Sequence, residues 1–116
     1  LLFLLVSISS SAQIGECMEK FREGSFSYIA DGQKVYVERT HRRQIETMNK
    51  GESKVILKVD WKSDTEYDLI VRKTKGLPGI YKGEVVTVSV IACDENTYEI
   101  EAVSGDVKRR TRFVKE

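Results

Sequence analysis

The sequence predicts an all-β domain: eight antiparallel strands in an up-and-down meander, forming a barrel or a strongly curved sheet behind a short N-terminal helix. Three observations predict it. Apolar and polar residues alternate with period two from Gly24 onward. Clusters of turn-forming residues break that alternation about every eight to twelve positions. No strand–helix unit of the kind a parallel sheet requires can be found.

The elements follow in order. Leu1-Leu2-Phe3-Leu4-Leu5-Val6-Ser7-Ile8 is an unbroken apolar run, followed by Ser9-Ser10-Ser11-Ala12. That is how a secretory signal peptide ends, with Ser10 and Ala12 at the two small-residue positions of a peptidase site and Gln13 as the new N-terminus. The expected organisation is thus a cleaved remnant at 1–12 and one β domain at 13–116. The apolar run is shorter than the ~20 residues that span a bilayer, so no stable membrane span is expected. Glu16 to Arg22 reads as a short helix with Cys17, Met18 and Phe21 turned inward.

Phe26, Tyr28 and Ala30 alternate with Ser25 and Ser27, and Asp31-Gly32 marks a hairpin turn. Lys34 to Thr40 has Val35 and Val37 on one face, Tyr36 and Glu38 on the other. His41-Arg42 bends the chain into a short strand through Ile45 to Met48, and Asn49-Lys50-Gly51 turns it again. Val55, Leu57, Val59 and Trp61 share a face of the next strand. After the loop Lys62 to Thr65 come Tyr67, Leu69 and Val71. Thr74 to Gly83 holds three glycines and Pro78, too many turn formers for a strand interior. Val85 to Cys93 is apolar on both faces, as suits a strand under a covering element. Asp94-Glu95-Asn96 leads to Thr97–Val103, and Ser104-Gly105-Asp106 to Val107–Val114. Eight is also a number at which a sheet closes on itself and removes its edges.

Lys and Arg total 19 against 18 Asp and Glu, a formal net charge of +1. So small a net charge provides no global field to steer nucleic acid, and none is expected as a partner. Cys17 and Cys93 are expected to bond in an oxidising compartment, a periplasm or the exterior; the alternative is a pair of buried free thiols. Glu16, directly before Cys17, disfavours lipid attachment there.

The order of short helix, Gly24-Ser25-Phe26 and eight meander strands resembles the lipocalin and fatty-acid-binding superfamily. In that superfamily a Gly-x-Trp motif opens the first strand, and a basic residue from a late strand packs across the ring. The resemblance implies Phe26 in the aromatic position, with Arg109, Arg110 or Arg112 as its partner. It also implies a lipocalin-like barrel that holds a ligand. A second resemblance is to small exported proteins of Bacteroidota. It rests on Cys17…Phe21…Gly24-Ser25-Phe26, Gln44-Ile45-Glu46, a strand ending in Trp61, and Glu66-Tyr67-x-Leu69. It implies no activity. The label "DNA topoisomerase IV" that some of these proteins carry finds no support here, because such an enzyme needs a catalytic Tyr in a far larger chain.

Several side chains invite a chemical reading. His41 is the only histidine and sits in a turn without a nucleophile or carboxylate tied to it by any motif. One His and two distant Cys do not give the close ligand pairs of zinc, and Asp94-Glu95-Asn96 lacks the spacing of a calcium loop. Neither a catalytic set, nor a metal site, nor a cofactor is expected, and the chain reads as a non-enzyme. Glu99 and Glu101 read as the wet face of a strand, opposite the basic strand that follows. Phe26, Tyr28, Trp61, Tyr67 and Tyr98 are the candidates for lining a ligand cavity; Tyr36 and Tyr81 are candidates for exposed contact. Arg39, Arg42 and Arg43, with Arg109, Arg110 and Arg112 on the last strand, form basic patches that would suit an anionic partner. The same charges also guard an edge strand. The expected function is an exported binding protein for a small apolar or amphipathic molecule; the alternative is a surface module that contacts an anionic partner through the Arg-rich last strand.

Overall fold

The computed structural model describes residues 11–116. Most of the segment read as a signal peptide therefore lies outside the described residues. Helix α1 (Ser11–Met18) passes into a single 3-10 turn, Glu19–Phe21. It begins earlier than the expected helix at Glu16, and the anticipated processing point after Ala12 falls within it. The reason is packing: Ile14, Met18 and Phe21 are all buried, and their spacing forms one helical stripe.

Eight strands follow: β1 (Gly24–Ala30), β2 (Gln33–Thr40), β3 (Arg43–Met48), β4 (Ser53–Trp61), β5 (Glu66–Lys75), β6 (Val85–Cys93), β7 (Thr97–Ser104) and β8 (Val107–Lys115). Each pairs antiparallel with its sequence neighbour, and β8 returns to β1, so the sheet closes into a barrel. Asp31 and Gly32 both have positive φ, 51° and 78°, the conformation of a two-residue hairpin turn with the twist of its strands. β5 runs further than its apolar residues predict, because Lys73, Thr74 and Lys75 pair with Ile56, Val55 and Lys54 across a register shift. A second shift, between Val90 and Ala92 on β6, returns Cys93 to the inner face.

The two barrel ends differ. One receives α1 and the 3-10 turn, whose Ile14, Met18 and Phe21 join Phe26, Tyr67, Tyr98 and Phe113 in one core cluster. The Cys17–Cys93 disulfide fastens the helix to the end of β6. At the other end lie the hairpin turns at Asp31 and Gly105 and the long β5–β6 connection. Closure between β1 and β8 is brief: Phe26 pairs with Lys115 and Ser27 with Val114. Ser27 also donates to the Glu116 carboxylate, and the Glu116 N–H to the Ser25 carbonyl, which locks this part of the seam. Beyond Ser27 no ladder pair joins the two strands among the described residues. The Tyr28 and Phe113 rings, 4.9 Å apart, fill the space where pairing stops.

Candidate functional site

A cavity of about 900 Å³ opens at the end opposite the helix. Its walls are aliphatic, with Leu57, Leu69, Val71, Val88 and Ile100 among them. These residues stand on the inward faces of β4 to β7, where period-two alternation puts every second side chain inside. Ile29 and Arg110 also border the cavity, although they belong to the outward faces of β1 and β8. The opening therefore continues sideways through the unpaired part of the seam. Asp31, Glu84, Arg109 and Arg110 bring two charges of each sign to this region.

The polar group deeper in the cavity is a pair. The Tyr28 hydroxyl donates to Glu46 Oε1 at 2.5 Å, and both residues line the cavity. Glu46 Oε2 accepts from Gln44 Nε2 at 2.7 Å, and Gln44 Oε1 accepts from Arg39 Nε at 2.9 Å. Arg39 is 2 % exposed, and each of its three guanidinium nitrogens has a partner. Nη1 donates to the Phe21 carbonyl at 2.7 Å, and Nη2 to the hydroxyls of Tyr98 at 2.5 Å and Tyr67 at 3.3 Å. Its guanidinium also lies 5.0 Å from the Phe26 ring centre and 5.3 Å from that of Tyr67. A buried cation and a buried carboxylate thus face each other through one amide rather than directly.

Burial governs the protonation of the chain of groups. Desolvation raises the Glu46 carboxyl above its ordinary pKa; the donors Tyr28 and Gln44 and the charge of Arg39 work against that rise without cancelling it. Desolvation, with the adjacent Glu46, likewise raises the Tyr28 phenol, so it stays a donor. Tyr67 is raised by burial first and then by Tyr98. For Arg39, burial pulls the pKa down, and the oxygens of Tyr67, Tyr98 and Glu46 more than offset it, leaving the guanidinium protonated.

Of the five aromatic candidates, Tyr28 lines the cavity. Phe26, Tyr67 and Tyr98 instead encircle Arg39 at the closed end. Trp61 packs on Tyr67 at 4.5 Å and lies under the Arg22 guanidinium at 4.4 Å, next to the helix. Arg39 is no surface residue: it shares the inward face of β2 with Val35 and Val37. It also takes the place expected of Arg109, Arg110 or Arg112, packing across Phe26 from the second strand instead of the last. Arg42 and Arg43 are exposed at the β2–β3 turn on the helix side, whereas Arg109 stands at the cavity mouth, so the six arginines form no single patch. Lys108 and Arg110 share Glu101 across the β7–β8 pair, and Glu99 is in register with Arg112. His41 is exposed in its turn, as are Tyr36 and Tyr81 on the surface. Gln44 and Glu46 were missed as site residues; their alternation with Ile45 is the signal that would have found them.

Comparison with protein-family models, curated proteins and solved structures finds no match to this chain. Among the described residues, no helix is long and apolar enough to cross a membrane.

Proposed function

We propose that this chain is an exported, non-catalytic binding protein that holds a small apolar or amphipathic molecule in the open end of its barrel. The carrying observation is the cavity of about 900 Å³, aliphatic on its walls with one convergent polar pair. Its size falls within the range of small-molecule sites. The eight-stranded barrel supports a lipocalin-like reading of the architecture. The Cys17–Cys93 bond supports export, because disulfides persist in oxidising compartments. The resemblance to small exported Bacteroidota proteins belongs to the same reading. The rival use of β8 against an anionic partner is weakened by Glu101, which already shares the charge of Lys108 and Arg110.

Ala102 lies on the cavity wall, and Ala102→Trp fills the space from one side. An environment-sensitive apolar dye titrated into the wild type is expected to bind with saturation, and Ala102→Trp to lose that binding while keeping the wild-type circular dichroism. Absence of saturable binding to the wild type, or equal binding by the folded variant, overturns the proposal.

A further inference from the structure

Electrostatically the cavity is one-sided. Its lining contains three carboxylates, Asp31, Glu46 and Glu84, and two guanidiniums, Arg109 and Arg110. Asp31 and Glu84 match the two arginines in number, which leaves Glu46 as the lining carboxylate without a counter-charge in the cavity. Its partner Arg39 lies behind Gln44 and does not border the cavity. An entering molecule therefore meets the carboxylate without meeting the guanidinium. Both Glu46 oxygens already accept one hydrogen bond, from Tyr28 and Gln44, yet each carboxylate oxygen has room for a second donor. An apolar body seated along the aliphatic walls displaces water and strengthens the charge pair at the base.

We infer that the cavity selects amphiphiles whose leading group is a cationic amine, seated on Glu46 beside Tyr28, with the apolar body along the aliphatic wall. This rests on the binding function proposed above and names its ligand class. An alcohol of the same shape fills the wall and donates one hydrogen bond, but brings no charge to pair with Glu46. A carboxylate head meets Glu46 as a like charge and is rejected. Desolvation raises the Glu46 pKa and so favours its neutral form, which means that amine binding takes up the carboxylate form and strengthens as pH rises through that pKa.

Decylamine, decanol and decanoate, competed against the dye at about pH 8, separate the possibilities; an alkylamine is protonated there, like the lysine side chain. The amine is expected to bind at least about tenfold more tightly than the alcohol, because it adds an opposite charge to the hydrogen bond, with decanoate weakest. Glu46→Gln alone keeps both partners only by turning its new amide donor toward the Tyr28 oxygen, so it changes the hydrogen-bond pattern together with the charge. The exchange Gln44→Glu/Glu46→Gln avoids this: it keeps the total charge, moves the carboxylate next to Arg39 Nε, and leaves the Tyr28 and inter-residue hydrogen bonds satisfiable. That variant is expected to retain decanol binding and to lose the preference for amine. Glu84→Gln, which alters only the mouth, is expected to keep it. Equal binding of amine and alcohol, or a preference that survives the 44/46 exchange or disappears in Glu84→Gln, overturns the inference while leaving a binding protein. Failure of all three compounds to compete overturns the binding function itself.

Discussion

Arg39 carries a full charge where water cannot reach it, and four hydrogen bonds with an aromatic cage compensate its desolvation. Arginine suits this role because its planar fork serves several acceptors at once. Arg39→Met keeps much of the side-chain length but strands the Gln44 and Phe21 oxygens and two phenols and removes the nearest counter-charge of Glu46; it is expected to lower the unfolding free energy by about 3–5 kcal/mol in urea titration. A loss below about 1 kcal/mol would contradict the compensation described here. Glu46 gives a pH signature. Its folded pKa is raised above the usual 4.5, so the folded chain holds this proton more tightly than the unfolded one. The stability attached to neutral Glu46 is complete below that value and is lost as pH rises through the folded pKa. Measured from about pH 4 to about pH 8, the wild-type stability relative to Glu46→Gln should fall; a flat or rising difference contradicts the raised pKa. Part of this was legible: Arg39 follows Val35 and Val37 at even spacing, which is the inward face. Its charge led to a surface reading because a buried arginine needs partners from Phe21, Gln44, Tyr67 and Tyr98, and their convergence is tertiary.

At the scale of elements, the helix is held to the barrel in two ways, by its buried stripe and by a covalent bond. Cys17 and Cys93 are 76 residues apart, so their bond restricts the unfolded chain over most of the domain. Replacing both by serine is expected to lower the unfolding free energy by about 4 kcal/mol on the chain-entropy argument, with the barrel's strand signature preserved in far-ultraviolet circular dichroism. No measurable loss would mean that the buried stripe alone positions the helix. Strand identity was readable throughout, from alternation and from turns such as Asp31-Gly32. Strand length was not. β5 continues through Arg72, Lys73 and Lys75, whose polarity reads as loop, because pairing with β4 extends past the apolar residues across a bulge. The helix start was hidden for a related reason: Ile14 belongs to the buried stripe, yet in sequence it stands next to an expected cleavage point.

The whole molecule is a barrel with unequal ends, and that inequality produces the site. Alternation anticipated eight consecutive strands, while closure depended on two β1–β8 pairs and on Glu116 reaching back to Ser25 and Ser27. Such contacts, some 90 positions apart along the chain, leave no periodic trace in the sequence. The same brevity of closure leaves Tyr28 and Phe113 as the last packed layer before the seam parts. The aromatic candidates divided accordingly: those near the helix became scaffold, and the one beyond the seam's last pair came to face the cavity. The sealed end also fixes traffic. On the binding function proposed above, a guest has no far exit through the helix end and leaves on the side from which it entered. On that reading exchange is sequential, and the departing molecule's residence time sets the pace.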